Sequence, residues 1–132
     1  MTRWMFLVAL AIFSFQIQAQ DLMVHKASNI SYELTWSESM FDFGQTDLGT
    51  PVSHTFEVVN RTAEPVKIAK VKPSCGCTVA DHTKEWIQPG ETGTVTATFS
   101  AKKKGYFTKQ VSVFMEGEES PKVLTIRGEV IE

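Results

Sequence analysis

The 132-residue sequence has few cysteines, few histidines and no excess of basic charge. Its two cysteines are separated by one residue, so they cannot form the bridge between sheets of antibody domains, which joins cysteines far apart in the sequence. The chain carries 13 basic and 15 acidic side chains, a formal net charge of −2. This balance gives no electrostatic footprint for nucleic acid or for an anionic membrane, and we expect neither as a ligand.

The motifs of common enzymes are also missing. No Gly-x-Ser-x-Gly, His-Glu-x-x-His or phosphate-binding glycine loop occurs. The three histidines, His25, His54 and His82, are scattered along the chain. We therefore expect that the protein is not an enzyme and needs no cofactor, with thiol–disulfide exchange as the one reaction left open.

The one long apolar run lies near the N-terminus and is typical of a signal peptide. Arg3 provides the positive charge, residues 4–15 are apolar apart from Ser14, and Ala19 is the small residue that a cleavage site requires. As a helix, about 12 residues reach about 18 Å, short of the roughly 30 Å hydrocarbon core of a membrane. We predict a signal peptide over residues 1–19, no membrane span after its removal, and an exported protein, periplasmic or extracellular.

After residue 19 the apolar residues alternate with polar ones and are interrupted by turn residues. Short alternating segments indicate strands of a sandwich or barrel, and no useful helical period occurs. The segment Gln88-Pro89-Gly90-Glu91 predicts a type II turn with a strand immediately after it. The sequence thus predicts an all-β protein with a lead-in and possible edge strand over residues 20–39 and a sandwich domain over 40–132. About seven strands are predicted, at residues 31–37, 41–44, 52–60, 66–72, 93–100, 106–115 and 123–131.

Three local expectations follow from the same pattern. Val66, Ile68 and the aliphatic stem of Lys70 are predicted to share one face of a strand. His54 is in phase with apolar residues of its strand, which indicates a core or edge histidine and not a ligand. The run Lys102-Lys103-Lys104 is predicted to form a solvated hairpin tip and not an anion site.

The cysteines lie in Cys75-Gly76-Cys77, at the end of a predicted strand. On a regular strand, residues two apart are about 6.6 Å apart, which leaves their Cβ atoms beyond the roughly 3.5–4.5 Å that a disulfide needs. A disulfide therefore requires a turn at Gly76, which lacks the Cβ that excludes positive φ. In the chain-entropy model so small a loop adds only about 1.6 kcal/mol of stability. The disulfide would therefore contribute little to stability. A strained, partly exposed disulfide is also easily reduced.

Other roles for the two cysteines remain open. They are compatible with buried structural residues, with a disulfide between chains, and with a soft-metal site. For redox or disulfide chemistry the candidates are Cys75 and Cys77. For copper or zinc the candidates are Cys75, Cys77 and His82.

Five short segments carry a family resemblance. They are Phe41-Asp42-Phe43-Gly44, Thr55-Phe56-Glu57-Val58-Val59-Asn60, Pro73-Ser74-Cys75-Gly76-Cys77-Thr78, Ile87-Gln88-Pro89-Gly90-Glu91 and Ile126-Arg127-Gly128-Glu129-Val130. In this order and spacing they resemble the exported bacterial family known as domain of unknown function 1573, over about residues 40–131. The resemblance implies a signal-bearing bacterial protein with an immunoglobulin-like β-sandwich, similar to major sperm protein and ciliary Hydin-type domains. It implies no activity.

Two functions are compatible with these features. The favoured one is a binding or scaffolding module that presents a sandwich edge or a loop face to a protein partner in the cell envelope. The alternative is a thiol-redox or soft-metal-binding protein that uses the Cys75-Gly76-Cys77 turn. The fold does not choose between them, because sandwiches host many functions.

Overall fold

The structure is a computed structural model that describes residues 34–132. These residues form a sandwich of eight strands in two four-stranded sheets, so the predicted all-β class is confirmed, with eight strands where about seven were expected. The predicted signal peptide, residues 1–19, and residues 20–33 of the lead-in lie outside the described residues. The strands are β1 (Leu34–Trp36), β2 (Met40–Asp47), β3 (Val52–Asn60), β4 (Ile68–Pro73), β5 (Thr78–His82), β6 (Thr92–Phe99), β7 (Gly105–Met115) and β8 (Lys122–Ile131).

Two sheets pack face to face. The first has the order β1-β3-β6-β5 and is antiparallel throughout, whereas the second has the order β2-β8-β7-β4 with β2 parallel to β8. The predicted segments 31–37 and 41–44 correspond to β1 and β2, which lie in different sheets. Within the described part of the chain, no helix is long and apolar enough to cross a membrane.

The chain crosses between the sheets five times among the described residues, and two of these crossing loops carry the cysteines and the lysine run. Residues 74–77 connect β4 of the second sheet to β5 of the first, and residues 100–104 connect β6 of the first to β7 of the second. The predicted hairpin tip at Lys102-Lys103-Lys104 is therefore wrong, because the flanking strands lie in different sheets. The three lysines are exposed, as expected, but on a crossing loop.

The core lies between the sheets and follows the alternation that the sequence predicts. In β6, Val95, Ala97 and Phe99 are buried, while the threonines between them remain partly exposed. Full burial of a large apolar side chain contributes about 1.5–3 kcal/mol to stability. The buried core consists of Phe56, Val58, Ile68, Ile87, Val95, Ala97, Phe99, Ala101, Phe107, Val111, Val113, Met115, Leu124, Ile126 and Val130.

Strand β4 departs from the predicted alternation. Ile68 is buried, but the pairing with β7 shifts register between Ile68 and Lys70, and Val71 then packs against the core. The expectation that Lys70 shares the face of Ile68 is wrong, because a bulge inserts one extra residue and reverses the phase. Lys70 instead lies on the exposed side, with Nζ 4.8 Å from the centre of the Phe114 ring.

The predicted turn before β6 is present. The Glu91 N–H donates to the Gln88 carbonyl at 2.9 Å, Gly90 has a φ of +84°, and β6 begins at Thr92. A positive φ at the third position is what a type II turn requires, and glycine adopts it without steric cost.

Asn60, at the end of β3, is fully buried and ties this region together. Its Nδ2 donates to the carbonyls of Glu64 and Ile87, both at 2.8 Å. Its Oδ1 accepts from the Thr62 N–H at 2.9 Å and from the Thr62 hydroxyl at 2.7 Å. One side chain thus joins the β3–β4 loop to the segment that precedes β6.

His54 is half-buried on β3, an inner strand of the first sheet, and its ring packs among aromatic side chains. Its ring stacks on Phe41 at 3.6 Å between ring centres and meets Phe56 edge-on at 4.8 Å. Its Nε2 lies 2.6 Å from a carboxylate oxygen of Glu38. These contacts explain the position of the His54 ring by packing, and neither cysteine is among them.

Candidate functional site

A disulfide joins Cys75 and Cys77. Their Cα atoms are 5.3 Å apart, closer than the roughly 6.6 Å of a regular strand, because the chain turns at Gly76. The turn does not use a positive φ at Gly76, contrary to expectation. Apart from the two flanking cysteines, no atom would lie within 4 Å of a Cβ at this position, so Gly76 faces open space.

Backbone hydrogen bonds hold the disulfide turn from both sides. The Ser100 N–H donates to the Cys77 carbonyl at 3.0 Å, which links the two crossing loops. On the other side, the Ser74 N–H donates to the Gln110 carbonyl at 2.8 Å, and the Gln110 N–H donates to the Ser74 hydroxyl at 3.1 Å. The turn is therefore fixed at one end of the sandwich by contacts that do not involve sulfur.

The two sulfurs have different surroundings. Both cysteines are half-buried, and Cys77 packs against the core. The Sγ of Cys75 lies 3.7 Å from the hydroxyl oxygen of Thr78, a buried side chain. A hydroxyl at this position is a hydrogen-bond donor to Cys75 whenever that sulfur carries negative charge.

A groove of about 580 Å³ opens beside the disulfide, and we call it the lysine groove. Phe99 and Phe107 provide its apolar lining, with their rings stacked at 4.1 Å between centres. Four lysines line it and no acidic side chain among the described residues does. Of the four, Lys104 is paired with Glu132, so the groove has a clear excess of positive charge. Its lining residues are Gly76, Cys77, Phe99, Ser100, Lys102, Lys103, Lys104, Tyr106, Phe107 and Lys109.

Tyr106 stands between the lysine groove and a second groove. Its side chain is 87% exposed, the most exposed of the large apolar and aromatic residues in the described chain. The second groove, of about 400 Å³, shares Tyr106 and Phe107 with the first, and we call it the polar groove. An aromatic side chain is thus presented at the border of two concave surfaces.

The polar groove carries charges of both signs. Asp42 accepts from the Gly44 N–H at 2.8 Å and from Nε of Arg127 at 2.9 Å. The Gly44 N–H, and to a lesser degree Arg127, hold the pKa of Asp42 below its usual 3.8. Glu129 on the same wall accepts a long hydrogen bond of 3.5 Å from Gln45. Because Asp42 and Arg127 neutralise each other, this groove lacks the charge excess of the lysine groove.

Replacing Arg127 by Gln is expected to leave the pKa of Asp42 below 3.8, because the Gly44 N–H remains in place. A carboxyl group with a lowered pKa adds stability above its unfolded pKa, and this contribution is lost as the pH falls through the folded value. The measurement is an NMR titration of the Asp42 carboxyl carbon in both proteins. A return to 3.8 in the variant would assign the shift to Arg127 alone.

The third predicted metal ligand does not meet the cysteines. His82 ends β5, and the four residue steps from Thr78 to His82 span about 13 Å along a strand. The Nδ1 of His82 lies 3.2 Å from Nζ of Lys84, and partial burial, together with that ammonium group, lowers the pKa of His82. Within residues 34–132 no three His, Cys, Asp or Glu side chains are grouped so that they could hold a metal ion.

Residues 34–130 match the family described as "Protein of unknown function (DUF1573)". No curated protein matches the sequence at a significant level. A protein of unknown function from Porphyromonas gingivalis W83 is 18% identical, with a TM-score of 0.62, and the match covers 73% of this chain and 46% of that chain.

Two further solved structures are similar. The VesB protease of Vibrio cholerae is 18% identical with a TM-score of 0.60, covering 77% of this chain and 32% of the protease. A PapD-like domain of human CEP192 is 13% identical with a TM-score of 0.61, covering 76% and 86%. At these identities the likeness establishes an immunoglobulin-like fold and nothing about activity. The chain spans less than half of the Porphyromonas gingivalis protein and of the VesB protease.

Proposed function

Because the chain belongs to the DUF1573 family, whose description names no activity, we propose a function from its own surface. The protein is an exported binding module. It presents one end of the sandwich, formed by the lysine groove and Tyr106, to an acidic segment of a protein partner in the cell envelope.

Tyr106 gives the strongest support. A tyrosine that is 87% exposed buries a large amphipathic side chain when a partner covers it. Tyrosine is enriched among the few residues that dominate binding energy, and such residues act best when surrounding contacts exclude water. The grooves on either side of Tyr106 provide such surroundings.

The lysines define the charge of the partner. Lys102, Lys103 and Lys109 line the groove without an acidic side chain beside them in its lining. Each exposed ion pair contributes only about 0–1 kcal/mol, so the lysines select and steer an acidic segment while Tyr106 anchors it.

The edges of the first sheet are weaker surfaces for the same purpose. The first sheet ends in β1 and β5, which have three and five residues. Short edge strands are a common device against unwanted pairing. Val79 of β5 is 67% exposed, but no groove or charge excess accompanies it. The loop face at the disulfide end therefore offers a protein partner more features to bind.

The proposal is tested with a cysteine-free, Asp- and Glu-rich peptide of about 12 residues and a Lys-rich peptide of equal length, titrated by fluorescence anisotropy. The acidic peptide is expected to bind more tightly, and Tyr106→Ala is expected to weaken it about tenfold, or 1.4 kcal/mol. A Lys102→Gln/Lys103→Gln/Lys109→Gln variant should lose affinity and salt dependence together.

Val79→Ser and Lys122→Gln are the matched controls, since both residues are exposed and neither lines a groove. Equal affinity for the two peptides, or an unchanged affinity in Tyr106→Ala, would contradict the proposal. So would self-association of the chain through its acidic residues 116–119, measured by sedimentation, since the groove would then be occupied by a second copy.

A further inference from the structure

We infer that the Cys75–Cys77 disulfide exchanges with a cysteine thiol carried by the acidic segment that the lysine groove binds. This inference rests on the proposed binding function and adds a covalent step to it. The partner supplies the thiol, and this chain supplies the disulfide.

The disulfide is open to attack from the groove. Cys77 and Gly76 are both part of the groove lining, and apart from the two flanking cysteines a Cβ on Gly76 would meet no atom within 4 Å. A larger residue at position 76 would take up part of the groove that Cys77 lines. The missing side chain thus leaves the approach free, which matters because exchange depends on access to a sulfur atom.

The lysines favour the reactive form of an incoming thiol. The thiolate, and not the thiol, attacks a disulfide, and neighbouring ammonium groups lower the pKa of a thiol. Lys102, Lys103 and Lys109 surround the approach to Cys77. An acidic segment is drawn to the groove by its carboxylates, and the lysines then offset the effect of those carboxylates on its cysteine.

The step is balanced as follows. A partner thiolate attacks Sγ of Cys77 and forms a mixed disulfide, the Cys75–Cys77 bond breaks, and its electron pair leaves on Sγ of Cys75. The Thr78 hydroxyl, 3.7 Å from that sulfur, donates a hydrogen bond to the new thiolate, which then takes a proton from solvent. A second partner thiolate releases Cys77, so the partner loses two electrons and this chain gains them.

The fold does not depend on the bond that breaks. The Ser100 N–H to Cys77 carbonyl bond and the Ser74 contacts with Gln110 hold the turn without involving sulfur. The very short loop also gives the disulfide little effect on the entropy of the unfolded chain. A disulfide that is accessible, yet unnecessary for the position of its own turn, is suited to exchange.

The test uses three peptides that each carry one cysteine, flanked by Asp and Glu, by Ser, or by Lys, with rates expressed per thiolate from their measured thiol pKa values. The purified full chain is incubated with each peptide, thiols are trapped by alkylation, and mixed disulfides are quantified by mass spectrometry. At low salt the acidic peptide is expected to react about tenfold faster than the lysine peptide, the lower end of electrostatic rate effects. High salt should remove the difference.

The variants locate the effect. Lys102→Gln/Lys103→Gln/Lys109→Gln should abolish the preference, whereas Lys122→Gln should keep it. Gly76→Val should slow the reaction with every peptide, and an unchanged melting temperature would show that access, not folding, is affected. Peptide mapping should place the adduct on Cys77 and the alkylated thiol on Cys75.

The outcomes separate exchange from binding. If the cysteine-free acidic peptide binds but no mixed disulfide forms, exchange is wrong and the binding function stands. If all three thiols react at one rate, the groove does not direct exchange and this inference is wrong, whereas the binding function is decided by the cysteine-free peptides alone. An adduct on Cys75, or an unchanged rate in Gly76→Val, would overturn the proposed route of attack.

Discussion

Replacing Asn60 by Asp is expected to lower the free energy of unfolding by about 3–5 kcal/mol, the cost of an uncompensated charge in a buried site. The substitution removes both Nδ2 hydrogen bonds and turns a carboxylate oxygen toward the carbonyls of Glu64 and Ile87. Both carbonyls lose the amide donor and face a negative charge instead, while Glu64 keeps the Thr62 hydroxyl and Ile87 keeps the Val66 N–H as donors. The measurement is urea unfolding followed by tryptophan fluorescence at pH 7.

The pH dependence of this variant separates charge from shape. Burial raises the pKa of a carboxyl group, and the protonated form regains a donor. The defect should therefore shrink as the pH is lowered from 7. Glu57→Gln, an exposed change on the same strand, should alter stability by less than about 0.5 kcal/mol. A loss below about 1 kcal/mol in Asn60→Asp would show that the amide does not hold the two segments together.

Replacing Gly128 by Val is expected to destabilise the protein by about 3 kcal/mol, the upper part of the range for overpacking. A Cβ at this position would lie 2.9 Å from the Gly44 carbonyl oxygen and 2.9 Å from Cζ of Phe107. The carbonyl belongs to the backbone of β2, so β2 itself must move away from β8. Because Phe107 lines both grooves, the same variant should also bind the acidic peptide more weakly.

Gly76→Ala is the matched control for Gly128→Val. Both glycines belong to the disulfide end of the domain and line grooves there, but a Cβ at Gly76 has open space around it. We expect Gly76→Ala to leave the urea midpoint unchanged. Equal stability of Gly128→Val and the unaltered protein would mean that β2 and β8 can separate at no cost.

Strong alternation made much of the fold predictable. Strands β3, β6 and β7 carry long inward series of apolar residues, and their bounds agree with the predicted segments within about one residue. Strand β5 was missed because its two inward positions before His82 hold Thr78 and Ala80, too small to mark a strand. The β4 bulge was missed for a related reason, since a single extra residue leaves the local composition unchanged.

The candidate site depended on information that alternation does not contain. The cysteines and the lysine run are each visible in the sequence, but about 25 residues separate them. They meet because both crossing loops lie at the same end of the sandwich, which follows from the pairing of Thr78 with Phe99. Tyr106 could not be singled out for the same reason. A β-strand pattern does not distinguish an aromatic residue beside a groove from one on a plain surface. Nothing in the sequence marks Asn60 as buried, since polar residues next to turns are usually exposed.

The parallel pairing of β2 with β8 has a consequence for how the chain is made. Met40 lies opposite Thr125, so the backbone hydrogen bonds between β2 and β8 cannot form until β8 has been synthesised. Synthesis runs from the N-terminus, and pairings of such sequence separation form late and slowly. All four strands of the first sheet have been synthesised once Phe99 is in place, whereas the second sheet is complete only after the ten residues of β8 have followed. Loss of β8 would leave β2 without its partner and remove one of the two neighbours of β7.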